Sequence, residues 1–184
     1  MHRLAPILAV AALTLSPLAL PSQAPAAPDA AALRALLEGR LNDAIPQLQL
    51  SLQQSPSPAN ELLLCRALLS EAQLDDALPH CQAAADSPSP TSAAFLWLGR
   101  VEGGRASKAN ALAAFGIARK VKAAFARAVE LDPRNTDAVA DLGEYLVEAP
   151  AIVGGGKDDA RDLATRSLST TPSAAHHILA RIAG

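Results

Sequence analysis

Aromatic side chains are scarce in this sequence: three Phe, one Trp and one Tyr among 184 residues. Runs of Val, Ile, Thr and aromatic residues, which mark strands, are missing too. Sandwiches and barrels are therefore disfavoured. Half of the chain is hydrophobic and alanine dominates that half, so the core material suits helices that approach closely and stack tightly. Charge of one sign is also lacking, with 16 Lys and Arg against 18 Asp and Glu mixed along the chain. No basic stripe is present, which excludes the usual nucleic-acid binders. The chain has no G-x-S-x-G elbow, no H-E-x-x-H helix and no dinucleotide fingerprint. Nothing nominates a catalytic residue, a metal site or a cofactor.

The first 26 residues read as a signal peptide. Met1-His2-Arg3 is a short basic start, and Leu4 to Leu20 is apolar apart from Thr14, Ser16 and two prolines. Ala24-Pro25-Ala26 fits the small-residue cleavage rule, with a cut before Ala27. A transmembrane anchor is the alternative, but Pro6, Pro17 and Pro21 interrupt a segment barely long enough to span a bilayer. No cysteine sits at the cleavage region, which speaks against lipid modification. The expectation is a periplasmic or secreted chain with no membrane span after signal removal. Loss of Arg3 takes its formal charge from −2 to −3.

Internal repetition organises the rest. Ser55-Pro56-Ser57-Pro58 recurs as Ser87-Pro88-Ser89-Pro90, 32 residues on. Between them lie two amphipathic runs at spacings of three and four: Leu62, Leu64, Cys65 and Leu68, then Leu74, Ala77, Leu78, Cys81, Ala84 and Ala85. Ser-Pro before each pair suits a helix start, with Ser as N-cap and Pro at the first helical position. Upstream, Leu33, Leu36 and Leu37 precede a Glu38-Gly39-Arg40 break, and Leu41, Ala44, Ile45, Leu48 and Leu52 follow it.

This pattern resembles the tetratricopeptide repeat (TPR), a helix-turn-helix unit of about 34 residues. Phe95-Leu96-Trp97-Leu98-Gly99-Arg100 is similar to its first-helix signature, and Leu142-Gly143 repeats the pair Leu98-Gly99. Ala123 to Pro133 is similar to its second-helix ending; Ala160, Ala164 and Ser167, ending at Pro172, repeat that pattern. Leu64-Cys65 aligns with Leu98-Gly99 at an offset of 34. The resemblance implies an all-α, right-handed superhelical solenoid of about four hairpins, at residues 27–56, 57–90, 91–133 and 134–172. Residues 173–184 then form a closing helix that shields the last hairpin. The third and fourth units are expanded. Gly103-Gly104-Arg105 is expected to break a helix, with the next running from about Ser107 to Leu131 along a seam of Ala118, Val121, Phe125 and Ala128. The fourth unit carries Glu148 to Lys157 as an insertion. These insertions resemble those of exported bacterial repeat proteins of undefined role. Any function private to this chain is expected near Gly103 to Asn110 and Ala149 to Lys157.

On the repeat's numbering, Cys65 and Cys81 fall at the eighth and twenty-fourth positions, facing each other across an antiparallel pair that turns near Gln73. The eighth position marks the closest helix approach, as a disulfide requires. Export and pairing also favour a structural disulfide; two buried free thiols are the alternative. By the same resemblance the groove positions fall on Leu62, Arg66 and Leu69, on Leu96 and Arg100, and on Asp137, Ala140, Glu144 and Val147. Arg66 and Arg100 can pair with carboxylates of an extended peptide. Equally, they can be solvated or pair with Glu61 or Glu102. The lysine and asparagine set that clamps a terminal carboxylate in chaperone-binding relatives is absent.

Other clusters have plain structural readings. Gly154-Gly155-Gly156-Lys157 misses the phosphate-loop spacing, and Asp158 behind it would repel phosphate. His176 and His177 are adjacent, about 100° apart on a helix, so they do not easily share one ion. Asp75-Asp76 and Asp158-Asp159 sit where a helix N-terminus favours acids. The expected function is a non-catalytic adaptor or scaffold that binds a protein or peptide in its concave groove. A self-associating envelope module, or an enzyme or its accessory subunit, are the alternatives.

Overall fold

A computed structural model describes residues 27–184, so the leader assigned to residues 1–26 lies outside the described residues. The described chain is helical throughout: α1 (Ala30–Leu37), α2 (Leu41–Gln54), α3 (Pro58–Ser70), α4 (Leu74–Ala85), α5 (Ser92–Lys108), α6 (Ala111–Leu131), α7 (Thr136–Glu148), α8 (Lys157–Ser167) and α9 (Pro172–Ala183). A short 3-10 turn, Ala151–Val153, lies between α7 and α8. Successive helices pack as antiparallel hairpins, and each odd-numbered helix also touches the next odd one. That pattern is a solenoid of four hairpins with α9 packed on both α7 and α8.

Side chains specify most helix starts. Asp29, Ser57, Thr91, Asn110 and Asn135 each accept a backbone N–H of the first turn. Ser57-Pro58 behaves as its sequence indicates. The second Ser-Pro does not: Thr91 is the N-cap of α5, so Ser89-Pro90 lies before the helix. The first two hairpins turn alike, with Gly39 and Ala72 at positive φ (72° and 57°) immediately before N-caps Arg40 and Gln73. Gly39 holds that left-handed conformation without strain, whereas Ala72 holds it against its own Cβ.

The packing contacts show why the units are spaced as they are. A Cβ on Gly99 would collide with the Phe125 ring of α6, and one on Gly143 with the Ile178 side chain of α9. Two core clusters result. One joins Leu48, Leu64, Leu68, Ala77 and Val101; the other joins Leu96, Phe125, Val139, Leu146 and Ile178. Odd helices are also tied at their starts, where Asn60 Oδ1 accepts from Asp29 N (2.8 Å) and Asn135 Nδ2 donates to Ser92 Oγ (2.8 Å).

The expanded units differ from the expectation in one respect. Gly103 and Gly104 do not break α5, which runs through them to Lys108, and α6 begins at Ala111 rather than Ser107. Glu102, whose side chain is 5% exposed, pairs with Arg105 (3.0 Å) and Lys120 (3.9 Å), and Arg105 also pairs with Asp75 (2.9 Å). These charges knit the extra turns of α5 to α6 and α4. Gly104 packs close to Leu74, whose Cδ atoms would lie 3.0 and 3.2 Å from a Cβ placed there. The glycine insertion after α7 is similarly pinned: Tyr145 donates to Val153 O (2.8 Å) and Lys122 Nζ to Gly154 O (2.7 Å). A Cβ on Gly155 would collide with the Ala149 carbonyl, so this segment is a fitted elbow into α8.

Cys65 and Cys81, 16 positions apart in sequence, form a disulfide across α3 and α4 with Cα atoms 5.1 Å apart. Both are fully buried. Closing a loop of this size stabilises by about 3 kcal/mol through the unfolded chain. Reductant is therefore expected to lower the unfolding free energy by about 2–4 kcal/mol in urea titrations; an unchanged midpoint would contradict that role.

Near the start of the described residues, Asp29 accepts from Ala31 N and Ala32 N (both 3.0 Å), from Ser51 Oγ (2.8 Å) and from Gln47 Nε2 (3.2 Å). The Ala32 amide foremost, then the Ser51 hydroxyl, hold its carboxyl below the ordinary value of 3.8. A lowered folded-state pKa gives stabilisation that is complete above the unfolded value and lost as pH falls through the folded one. Asp29→Ala is expected to cost about 1 kcal/mol at neutral pH. Urea titrations should show the gap to the unsubstituted protein narrowing as the solution is acidified through the carboxylate range.

Candidate functional site

The odd helices present their side chains to one another along a single face. On α3, Leu62, Arg66 and Leu69 recur at spacings of four and three, which keeps them on one side of the helix. Leu62 and Leu69 are half-buried against the first core cluster. The Arg66 guanidinium lies over the Trp97 ring of α5, 5.0 Å from its centroid, and Arg100 lies over the same ring at 4.7 Å. Arg100 then reaches α7, where it donates to Asp141 (2.7 Å) and Asp137 (3.2 Å). Further along α7, Glu144 and Glu148 accept from Arg181 of α9, and His177 stands 3.6 Å from Glu144. The chain of contacts α3–α5–α7–α9 is thus one continuous stripe.

The two arginines are not equivalent. Burial works against the charge on Arg100, but the Asp141 hydrogen bond, with the Asp141 and Asp137 charges, outweighs it and raises its pKa. Arg66 has no such help. Burial first, then the neighbouring Arg100, push its pKa down. Its Nε is buried without a hydrogen-bond partner, and its side chain makes no ion pair among the described residues. Glu61 and Glu102, the neighbours considered from sequence, are engaged elsewhere: Glu61 with His80 (2.6 Å) and Glu102 with Arg105. A buried donor left unmade costs about 1–3 kcal/mol. Cation–π attraction to Trp97 returns part of that, about 0.5–2 kcal/mol.

Several sequence-derived groove residues come together on this face: Arg66, Arg100, Asp137 and Glu144 through the contacts above, with Leu62 and Leu69 on the Arg66 side of α3. Ala140 and Val147 are half-buried on α7 against the second cluster. Leu96 does not line the face. It is 4% exposed and packed in the second core cluster with Phe125 and Val139. Trp97 and Asp141, which hold the stripe together, were not among the expected residues. Trp97 is the sole tryptophan of a chain poor in aromatics, and that rarity was the one available signal.

Two open depressions flank these elements. One, of about 400 Å³, is lined by Phe125, Asp141, Glu144, Tyr145, Glu148 and Ala149 at the acidic end of the stripe. The other, of about 470 Å³, lies under the expanded third hairpin beside Leu74, Asp75, Arg105, Lys108 and Ile117. Its Arg105 and Asp75 already neutralise each other, so the odd-helix face, with its uncompensated Arg66, is the stronger candidate. No group of three or more His, Cys, Asp or Glu side chains among the described residues is placed to hold a metal. No helix among them is long and apolar enough to cross a membrane.

Neither a protein-family model nor a curated protein matches the sequence. Among solved structures, the crystal structure of a thermophilic TPR protein from Thermus thermophilus is similar, with a TM-score of 0.64 at 16% identity over 80% of this chain and 77% of that one. The fold is the TPR-like helical solenoid. Within it, α1, α3, α5 and α7 are the first helices of the four hairpins, and α9 occupies the next first-helix place. In a TPR solenoid the first helices line the inner surface. The Arg66–Trp97–Arg100–Asp141 stripe lies along those helices.

A double-mutant cycle with Arg100→Ala and Asp141→Ala checks the link between the third and fourth hairpins. Both side chains are about a quarter exposed (27% and 26%). A coupling of about 0.5–1 kcal/mol in urea denaturation is expected for such a partly screened pair.

Proposed function

We propose that this chain is a non-catalytic, exported TPR adaptor that binds a protein or peptide along the inner face formed by α3, α5, α7 and α9. The observation that carries the reading is the stripe itself: half-buried Leu62 and Leu69, a charged stack on Trp97, and Arg66 left without an acidic partner. A face that keeps an uncompensated guanidinium beside apolar side chains is arranged for a ligand with both kinds of surface. Hairpin solenoids in general offer such faces to protein partners. Placement in the periplasm or outside the cell rests on the leader pattern of residues 1–26, with which the Cys65–Cys81 bridge is compatible.

Self-association has one observation in its favour, the outward exposure of Leu112 (88%) at the tip of the third hairpin. Photocrosslinkers placed singly at Leu62 and Glu144, and at Arg127 and Arg166 on the even helices, separate the readings. Irradiation of intact cells is expected to give heterologous adducts from Leu62 and Glu144 and none from the even helices. Adducts confined to the even helices, or consisting only of the chain with itself, would overturn the adaptor reading.

A further inference from the structure

We infer that Arg66 is the receptor for one aspartate or glutamate side chain of an extended partner segment, seated beside Trp97 on the inner face. This rests on the adaptor reading and names the partner's chemistry. Arg66 is the cation of the stripe that the described protein does not neutralise. Arg100 is held by Asp141 and Asp137, and Arg181 by Glu144 and Glu148. Trp97 lies against the Arg66 guanidinium, and its Nε is closed off. Its Nη edge is not buried and donates to no protein acceptor among the described residues, so it can receive a carboxylate through two parallel hydrogen bonds.

The surroundings fix which carboxylate fits and where. Asp137, Asp141, Glu144 and Glu148 crowd α7, and they repel an acid placed further along the stripe. The acidic residue is thereby steered to α3, two first-helix steps away, or about 16–20 Å at usual helix spacings. An extended segment spans that with about five or six residues. The inner face continues past Arg66 both ways, toward α1 and toward α5, so a segment passes through the site and does not end there. That favours a side-chain carboxylate over a terminal one. The chain's own first 26 residues contain no Asp or Glu and cannot supply it.

The test uses the purified, disulfide-intact chain and a random twelve-residue peptide display library, with selected peptides resynthesised in acetylated and amidated form. Trp97 is the sole tryptophan, so its fluorescence reports occupancy beside Arg66 directly. Selected peptides are expected to share one Asp or Glu, and its replacement by Gln or Asn to weaken binding about tenfold or more, as charged hydrogen bonds do. Arg66→Gln should remove that difference while leaving the amide peptide's affinity unchanged. Arg66→Glu should reverse the preference toward a Lys in the same place, which a merely misfolded variant would not do. Binders that compete on the inner face but share no acid would overturn this inference and leave the adaptor reading standing. Acid preference that survives Arg66→Gln would overturn it as well, as would binding that requires a free terminal carboxylate. A library that yields no inner-face binder would overturn both.

Discussion

Helices in this protein come close because large side chains on one occupy space that a neighbour leaves empty. Phe125 presses on Gly99 inside the third hairpin, and Ile178 presses on Gly143 between first helices α7 and α9. A single methyl group at either place would overlap those side chains and force them to shift in an interior packed near crystal density. The charged stripe depends on that spacing. Arg100 reaches Asp141 at 2.7 Å only because α5 and α7 lie side by side. The buried bridge of Cys65 to Cys81 applies the same constraint covalently in the second hairpin. With aromatic residues so few, small side chains and one disulfide do the work that bulky cores do in other folds.

Charge is distributed on this framework in two different ways. The Glu102–Arg105–Asp75 group and the Lys122 contact to Gly154 fasten the insertions to the solenoid. Their charges and donors are matched within the protein. The inner stripe is matched only in part. It runs from an uncompensated cation on α3, through a tryptophan shared by two guanidinia, to a surplus of carboxylates on α7. Such a gradient gives a bound segment a direction and a register at little cost to the fold, since half-exposed charges contribute modestly to stability. The segments outside the common repeat pattern are thus fastened to the architecture, and the recognition proposed above is assigned to the plainer first helices.

Much of the architecture was legible beforehand. The 3.6-residue periodicity, the Glu38-Gly39-Arg40 break and the Leu98-Gly99 and Leu142-Gly143 pairs marked stacked hairpins. Close approach demands small residues at fixed intervals, and those survive as a pattern. Gly103-Gly104 misled, because glycine weakens a helix by only about 1 kcal/mol each. Here the Leu74 contact and the Glu102 ion pairs hold α5 against its neighbours through the glycines. Ser89-Pro90 misled for a related reason, since Thr91, two residues on, offered a hydroxyl in the right place to cap α5. Leu96 lies four positions before Arg100 on the same side of α5, but the packing of the second core cluster covers it.

The sequence by itself determined the helical class and the repeated hairpins, which follow from local periodicity, while its resemblance to the tetratricopeptide repeat implied the facing of Cys65 and Cys81, with free thiols left as the alternative, and the place of Arg66 and Arg100 on first helices. Only the tertiary structure decided that Arg100 is neutralised and Arg66 is not. Both guanidinia share the Trp97 ring, and their difference arises from residues 37 and 41 positions beyond Arg100, on α7. Charge compensation is a property of distances across the stack, and such distances exist only once the helices are packed.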